Sequence, residues 1–232
     1  SYICDGRKDC PHLDDEMGCE LGLVCPGMLR CQDGPCVHWS HVCDGVVQCP
    51  GAADDEALCS YTSCPQGCHC VGPSYTCQHL SWTHLHSLPA AVVKLYVNDN
   101  SLIVDHDMLI TFEHLLYMEM NNNNLKALTA GNKKEGVFRN QRYLRNLSLR
   151  NNSLTTISSF TIYGLIRLVH LELQGNCISE VLPFGFHGLQ SLPTLDLSSL
   201  CLKVIHKMSF VGLPNVHTID VSDNQLVKME SG

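Results

Sequence analysis

Acidic side chains and cysteines are interspersed over the first quarter of this 232-residue chain. Residues 1–63 carry eleven acidic and three basic side chains, whereas residues 64–232 carry twelve of each, so the whole net charge of −8 belongs to the first part. Carboxylates and backbone carbonyls are the groups that bind Ca²⁺, which takes about six to eight oxygen ligands. A small fold with this excess charge would repel itself unless cations were bound. We therefore expect Ca²⁺ in this part of the chain. The alternative is an acidic, solvated surface without metal.

The cysteine content indicates where the protein works. Thirteen of the fifteen cysteines fall within residues 1–77, and such density is typical of disulfide-linked modules in an oxidising compartment. No apolar run approaches the length of a membrane span. No signal-peptide pattern precedes Cys4. We expect an extracellular piece of a longer protein, attached to a membrane through a part outside this chain.

Two functional classes are disfavoured by the sequence. An enzyme is not expected, because the chain has no G-x-S-x-G, H-E-x-x-H or phosphate-binding glycine loop. His12, His84 and His86 lack a further ligand at zinc spacing and are better interpreted as surface residues. Nucleic acid is not expected as a partner, because no basic stripe is present.

The cysteine spacing predicts the modules that position the carboxylates. Residues 25–59 contain six cysteines with gaps of five, four, six, five and nine residues. Sequence alone leaves fifteen connectivities open. The spacing, with Cys43-Asp44-Gly45 and a closing Asp55-Glu56-Ala57-Leu58-Cys59, resembles a low-density-lipoprotein-receptor class A module. Residues 1–19 are similar to the second half of a preceding copy, and Cys10 would then need a partner upstream of Ser1.

This resemblance implies disulfide pairs and metal ligands. The implied bridges are Cys4–Cys19, Cys25–Cys36, Cys31–Cys49 and Cys43–Cys59. The implied Ca²⁺ ligands of the first module are the side chains of Asp5, Asp9, Asp15 and Glu16 with the carbonyls of Tyr2 and Arg7. Those of the second are the side chains of Asp44, Asp55 and Glu56 with the carbonyls of His41 and Val46. Gln48 stands where the family has Asp; its amide oxygen can still coordinate, but the lost charge predicts weaker binding.

Residues 60–89 form a third segment, with cysteines in the pattern C-x₃-C-x-C-x₆-C from Cys64 to Cys77. The pattern resembles the N-terminal cap of extracellular leucine-rich-repeat proteins, which implies the pairs Cys64–Cys70 and Cys68–Cys77. Zinc held by these cysteines and His69 is the alternative, but an oxidising compartment favours disulfides over thiolates. A cap is needed because the first coil of a repeat array has no neighbour to cover its apolar edge.

Residues 90–232 repeat the pattern L-x-x-L-x-L-x-x-N-x-L, typical of a leucine-rich repeat. Six frames begin at Val92, Leu115, Leu144, Leu168, Leu192 and Val216. From the third frame on, the period is 24 residues. We predict a solenoid with parallel β-strands on its concave face, and further repeats or a cap beyond Gly232. Phe160, Phe186 and Phe210 are expected to fill the back of the coils.

The residue between the two strand leucines should form one column on the concave face, the usual binding surface. The column consists of Tyr96, Glu119, Ser148, Glu172, Asp196 and Asp220. Like charges on adjacent strands repel, and a ligand carrying Arg or Lys would relieve that cost. Tyr96 and Tyr117 could supply aromatic anchors. The alternative is that acidic residues simply tolerate solvent at these positions.

Three further features accompany the repeats. Asn146 and Asn151 open N-glycosylation sequons, and Asn151 is expected to be the more occupied, since a glycan on Asn146 would obstruct the concave face. Residues 130–136 are an insertion that should form a loop. Cys177 and Cys201 occupy the same frame position and should meet disulfide geometry, with two free buried thiols as the alternative.

Class A modules followed by a capped repeat array resemble the ectodomains of relaxin-receptor-like, leucine-rich-repeat G-protein-coupled receptors, and most of all their invertebrate multi-module orphan members. The resemblance implies capture of a peptide or protein ligand, possibly basic, by the repeats, with the modules assisting activation of a seven-helix domain. An adhesion or matrix protein that uses the same modules for protein or lipoprotein contacts is the alternative.

Overall fold

The structure is a computed structural model, and it describes residues 28–31, 36–38, 41–49, 54–57, 64–85, 88–89, 92–104, 107–128 and 136–230. The chain forms two compact units, residues 1–64 with 70–74 and residues 65–69 with 75–232. Several predictions for the modules lie outside the described residues. These are the ligands Tyr2, Asp5, Arg7, Asp9, Asp15 and Glu16, the pair Cys4–Cys19, and the cysteines Cys25 and Cys59.

The described residues contain fourteen short strands and one short helix. The first unit contributes β1 (Met28–Arg30), β2 (Cys36–His38) and helix α1 (Asp54–Ala57), and the cap contributes β3 (His69–Val71) and β4 (Ser74–Thr76). The concave strands are β5 (Lys94–Tyr96), β6 (Tyr117–Glu119), β7 (Asn146–Ser148), β9 (His170–Glu172), β11 (Thr194–Asp196) and β13 (Thr218–Asp220). The strands behind them are β8 (Thr156–Ile157), β10 (Glu180–Val181), β12 (Val204–Ile205) and β14 (Lys228–Met229).

Among the described residues of the first unit, the core is small. Strands β1 and β2 pair antiparallel, with Leu29 opposite Val37. Buried Val37 packs with the Cys31–Cys49 disulfide, and Leu29 lies partly buried against them. A domain with so little apolar burial depends on disulfides or bound metal for its stability.

The second unit is a parallel-strand solenoid, as the repeat pattern predicts. We number its coils 1 to 6 from the six frames given above. Strands β5, β6, β7 and β9 pair in parallel so that Leu95, Met118, Leu147 and Leu171 lie side by side. These four side chains are buried, which places the core between the concave strands and the back of the coils. The back strands form a second parallel sheet in the order β14-β12-β10-β8.

The frame asparagines join consecutive coils. In coil 4, Nδ2 of Asn176 donates to the carbonyls of Leu149 (2.9 Å) and Leu173 (2.7 Å), while its Oδ1 accepts from the N–H of Leu154 (3.0 Å). Asn100, Asn123, Asn152 and Asn224 make equivalent bonds. Because the turn of each coil leaves backbone groups without a strand partner, a side-chain amide satisfies them in coils 1 to 4 and in coil 6.

The junction between coils 4 and 5 departs from this pattern. The second residue of the frame, such as Val169, donates its N–H to the preceding coil, but coil 5 has Pro193 there, which has no N–H. The concave ladder correspondingly divides, with β9 ending one sheet and β11 beginning the next. Leu200 replaces the frame asparagine and offers no acceptor for the N–H of Ile178. The Cys177–Cys201 disulfide spans this junction, with Cα atoms 5.0 Å apart.

Four disulfides join described cysteines, and each agrees with a pair expected from the sequence: Cys31–Cys49, Cys64–Cys70, Cys68–Cys77 and Cys177–Cys201. Cys36 and Cys43 are disulfide-bonded as well. With its four cysteines oxidised, the cap has no thiolates to offer zinc.

The prediction for the back of the coils was wrong at one position. Phe186 is fully buried, but its counterpart one period earlier is Ile162, which is 2% exposed. Phe160 lies two residues from that register, is 38% exposed and stacks on Phe184 at 5.4 Å between ring centroids. The error arose because Phe160 precedes its glycine by four residues, whereas Phe186 precedes its own by two.

Candidate ligand-binding surface

The parallel register brings the predicted column residues into adjacent positions. Tyr96 is the Cα partner of Glu119, Glu119 of Ser148, and Ser148 of Glu172. Asp196 and Asp220 are partners in the separate pair formed by β11 and β13. The column therefore exists as two runs, one on each side of the junction between coils 4 and 5.

A groove of about 610 Å³ occupies the middle of the concave face. Four residues predicted to bind the ligand and one further member of the column line the groove: Tyr117, Glu119, Glu172 and Asp196, and Ser148. It also includes Asn146, Arg150, His170, Gln174 and Thr194, and a few apolar side chains. Most of the lining residues are polar and the groove is open to solvent, which suits an extended peptide or a protein loop better than a small apolar molecule.

The acidic side chains are not the bare row of like charges that the sequence suggested. Glu172 Oε1 lies 3.0 Å from a guanidinium nitrogen of Arg150, and Glu172 Oε2 lies 2.7 Å from the hydroxyl of Ser148. Glu119 accepts a hydrogen bond from Nδ2 of Asn98 at 2.9 Å. Each carboxylate is thus partnered by a side chain of a neighbouring coil, which reduces the repulsion along the column.

Arg150 lines the groove, although the sequence did not identify it as a candidate. It stands two residues after Ser148 in coil 3 and donates through Nε to Oε1 of Gln174 (3.3 Å) as well as pairing with Glu172. Its side chain is 48% exposed, so its remaining N–H groups can reach a ligand. The position of Arg150 in the frame could have identified it, because the residue two after the column position also faces the concave side of the array.

Asp196 and Asp220 differ from Glu172. Nε2 of Gln174 and the hydroxyl of Ser198 donate to Asp196, and the backbone N–H of Ser222 donates to Asp220. The Ser198 hydrogen bonds hold the pKa of Asp196 below its usual value, so this carboxyl is ionised at neutral pH. Among the residues that the structure describes, neither aspartate has a basic partner within ion-pair distance.

An aromatic cluster lies at the other end of the concave face. Nζ of Lys94 lies 5.5 Å from the centre of the Tyr117 ring, a cation–π arrangement. Burial, followed by the nearby Glu119 and Tyr117, raises the pKa of Tyr96, so its hydroxyl stays protonated and can donate to a ligand. Tyr96 and Tyr117 are half-buried, as anchors for a ligand would need to be.

The two sequons lie in different surroundings. Asn146 is half-buried on β7 and lines the groove, whereas Asn151 is exposed in the following turn. Nδ2 of Asn151 donates to Oδ1 of Asn122 at 2.9 Å. A glycan on Asn146 would therefore occupy the groove itself, and occupancy of either asparagine stays a prediction.

The oxygen-rich loop of the second module lies in the first unit. Asp55 is fully buried and accepts from the backbone N–H groups of Gln48 (2.6 Å) and Cys49 (3.2 Å). Glu56 Oε1 accepts from the N–H of Asp44 at 3.0 Å. Nε2 of Gln48 donates to Asp44, and Nδ1 of His41 lies 3.0 Å from Oδ2 of Asp44.

These residues fit Ca²⁺ in chemistry but are not gathered as a complete metal site. Oε1 of Gln48 is buried without a hydrogen-bond partner, which is the kind of acceptor that a cation would satisfy. Across the described parts of the chain, however, no three His, Cys, Asp or Glu side chains are grouped as metal ligands. Asp44, Gln48, Asp55 and Glu56 would supply side-chain oxygens, and His41 and Val46 carbonyls, if Ca²⁺ binds here.

Comparisons with known proteins support the repeats. Residues 142–199 and 178–226 match the leucine rich repeat family. Mouse (Mus musculus) SCO-spondin is 43% identical over 72 residues, which is 23% of this chain and 1% of SCO-spondin. The chain thus spans only a small fraction of that relative.

Two solved structures were also compared. The crystal structure of a TLR13–ssRNA13 complex has a TM-score of 0.49 at 22% identity and covers 67% of this chain and 20% of that one. The crystal structure of an internalin (inlF) from Listeria monocytogenes str. 4b F2365 has a TM-score of 0.44 at 17% identity, and the match covers 60% of this chain and 37% of the internalin chain. Of the described helices, none is long and apolar enough to cross a bilayer. The match to the leucine rich repeat family covers residues 142–226, the part of the solenoid that contains strands β7 to β13.

Proposed function

We propose that the concave face of the solenoid binds a peptide or protein ligand outside the cell. The observation that carries the proposal is the open, polar groove at the centre of the face, flanked by the aromatic cluster and by Asp196 and Asp220. The oxidised cysteines support an extracellular location. Leucine-rich repeats typically provide recognition surfaces and no catalytic groups, which supports a non-enzymatic role.

Asp196 and Asp220 are the better sites for a basic ligand residue. Glu172 would have to give up its ion pair with Arg150 to bind a cation of the ligand, so the gain in binding free energy would be small. Asp196 and Asp220 repel each other in the free protein and have no basic partner in the described solenoid, so a ligand Arg or Lys would gain attraction from both. The side chains are partly exposed, and we expect the preference to be modest, about 1 kcal/mol for each pair.

At a finer level, we propose that the chain belongs to the ectodomain of a receptor of the relaxin-receptor-like G-protein-coupled type. The class A cysteine spacing in residues 25–59, directly followed by a capped repeat array, supports this proposal. In such a receptor the two modules (residues 1–19 and 25–59) would bind Ca²⁺ and assist activation of a seven-helix domain. That domain would lie outside this chain and attach it to the plasma membrane.

The alternative is an adhesion or matrix protein that uses the same modules for protein or lipoprotein contacts. The partial identity to SCO-spondin covers 23% of the chain and favours neither role. A seven-helix domain encoded downstream in the full transcript would decide for the receptor, and further extracellular modules in its place would decide for the adhesion protein.

The experiment that tests ligand binding starts from the 232-residue chain, immobilised in Ca²⁺ and exposed to secreted peptides. Each captured peptide is then synthesised and its Kd measured. We expect basic peptides, with Asp196→Asn/Asp220→Asn weakening binding about thirtyfold, since two ion pairs of about 1 kcal/mol each are lost. Asp223→Asn is the matched control, because Asp223 is exposed in the next turn and lies off the column.

Unchanged binding by Asp196→Asn/Asp220→Asn would reject the assignment of these two residues. Failure of every peptide to bind would reject the concave face as a peptide site. Labelled single-stranded RNA is included as a further probe, because the expectation that nucleic acid is not a partner depends on the charge distribution alone.

A further inference from the structure

His206 connects three successive coils on the back of the solenoid. Its Nε2 lies 2.5 Å from Oε1 of Glu180 in coil 4, and its Nδ1 lies 3.3 Å from Oε2 of Glu230 in coil 6. The imidazole side chain is 24% exposed, and the two carboxylates are 38% and 32% exposed. Both ring nitrogens therefore face an acceptor, and both acceptors belong to a different coil from His206.

The charged groups around the ring favour its cationic form. Glu180 approaches from the β10 side and Glu230 from the β14 side. Lys228 pairs with the other oxygen of Glu230 at 2.6 Å, and the backbone N–H of Lys207 donates to Oε2 at 3.2 Å. Glu230 is thus held in place by Lys228 and Lys207, while Glu180 has His206 as its charged partner.

A neutral imidazole cannot maintain both contacts. It carries one N–H, and its other nitrogen presents a lone pair, which repels a carboxylate oxygen. Only the imidazolium donates from both nitrogens. Loss of one proton from His206 therefore removes one of its two contacts with the carboxylates of coils 4 and 6.

The Glu180 contact crosses the junction at which the concave strand ladder is interrupted. Between coils 4 and 5, Pro193 interrupts the strand ladder and Leu200 replaces the frame asparagine. The connections that remain there include the back-strand pairing of β10 with β12, the Cys177–Cys201 disulfide and the His206–Glu180 contact.

We propose that His206 is a proton-dependent clamp that holds coils 4, 5 and 6 together when it is protonated and releases one contact when it is neutral. The ring contacts are the geometric basis. The hydrogen bond to Glu180, then that to Glu230, raises the pKa of His206 above its ordinary value, while partial burial opposes this.

The sign of the pH effect follows from linkage. A histidine whose pKa is higher in the folded than in the unfolded chain stabilises the fold fully below the unfolded pKa of about 6.5. This stabilisation is lost as the pH rises through the folded pKa. The C-terminal coils should therefore be held more firmly in mild acid than in mild alkali, within the range around neutrality where extracellular fluids vary.

The test compares the complete chain with His206→Gln and with His217→Gln, a control on an exposed histidine of coil 6 for which no carboxylate contact is described. Melting temperature and amide exchange of residues 201–230 are measured from about pH 6 to about pH 9, a range that brackets a raised histidine pKa. The native chain and His217→Gln should lose about 2 °C or more across this range, and exchange in residues 201–230 should accelerate. His206→Gln should lack this dependence.

Histidine side-chain NMR of the native chain provides an independent measurement that needs no variant to fold. His206 should titrate above the ordinary value of about 6.5, and Glu230→Gln should lower its pKa. A pKa at or below the ordinary value, or the same pH dependence in His206→Gln as in the native chain, would overturn the proposal.

Discussion

Cys177 and Cys201 form a covalent connection between coils 4 and 5 at the point where the concave strand ladder is interrupted. Elsewhere in the array, consecutive coils are held by strand pairing and by a buried asparagine. Here Pro193 removes a strand N–H, and Leu200 stands where that asparagine would be. The disulfide thus compensates for two noncovalent interactions that this junction lacks.

Replacement of both cysteines by serine (Cys177→Ser/Cys201→Ser) should destabilise the solenoid by about 3 kcal/mol, the value expected for a closed loop of about this size. The loss should appear as a lower urea midpoint for the repeats and as faster amide exchange at the junction between coils 4 and 5. The Cys64→Ser/Cys70→Ser variant, which opens a shorter loop in the cap, serves as the comparison. An unchanged urea midpoint would contradict a stabilising role for the Cys177–Cys201 bridge.

Asn176→Ala should destabilise the repeats by about 2 to 3 kcal/mol, because it leaves the Leu154 N–H and the Leu173 carbonyl buried without this partner, while the Leu149 carbonyl keeps the hydrogen bond from Asn152. Asn215→Ala is the control. Asn215 is exposed and donates one side-chain hydrogen bond, to the Gln190 carbonyl, so its loss should cost about 0.5 kcal/mol or less. If both variants lose the same free energy of unfolding in chemical denaturation, the buried amide of Asn176 contributes no more stability than the exposed amide of Asn215.

A Ca²⁺ chelator should loosen residues 25–59 and leave the melting of the repeats unchanged, because the proposed ligands all lie in the modules.

Gln48→Asp should tighten Ca²⁺ binding about tenfold, since it restores a charged ligand in the position where the buried Gln48 oxygen has no partner. Calorimetric titration with Ca²⁺ measures the affinity, and amide exchange of residues 41–49 measures the loosening. Equal destabilisation of both units by the chelator would be inconsistent with a metal confined to the modules.

Glu230 should stabilise coil 6 down to strongly acidic pH. Lys228, then the Lys207 N–H, lowers its pKa from 4.5 to about 2. A carboxyl with a depressed folded pKa stabilises the fold above its unfolded pKa, and this contribution is lost as the pH falls from about 4.5 to about 2. The difference in melting temperature between the native chain and Glu230→Gln should therefore be constant from about pH 5 to about pH 6, where His206 stays protonated, and be largely lost near pH 2. A difference that does not change between about pH 5 and about pH 2 would show that folding leaves the pKa of Glu230 at its ordinary value.

The sequence alone was sufficient to predict the solenoid. A period of 24 residues identifies which residues lie side by side on consecutive coils, because every coil repeats the same backbone path. For the same reason it correctly paired Cys177 with Cys201 and placed Asp196 beside Asp220. Inferences of this kind need only the frame position of each residue.

Only the tertiary structure decided which side chains meet between different columns. Arg150 reaches Glu172, and His206 reaches Glu180, from positions that are not equivalent in the frame, whereas Glu230 occupies the same frame position as His206 one coil later. Whether such pairs form depends on side-chain rotamers and on the space left by neighbouring coils, and neither has a periodic signal in the sequence. The period therefore established the scaffold and its column of acids, whereas packing between coils determined which of those acids remain available to a ligand.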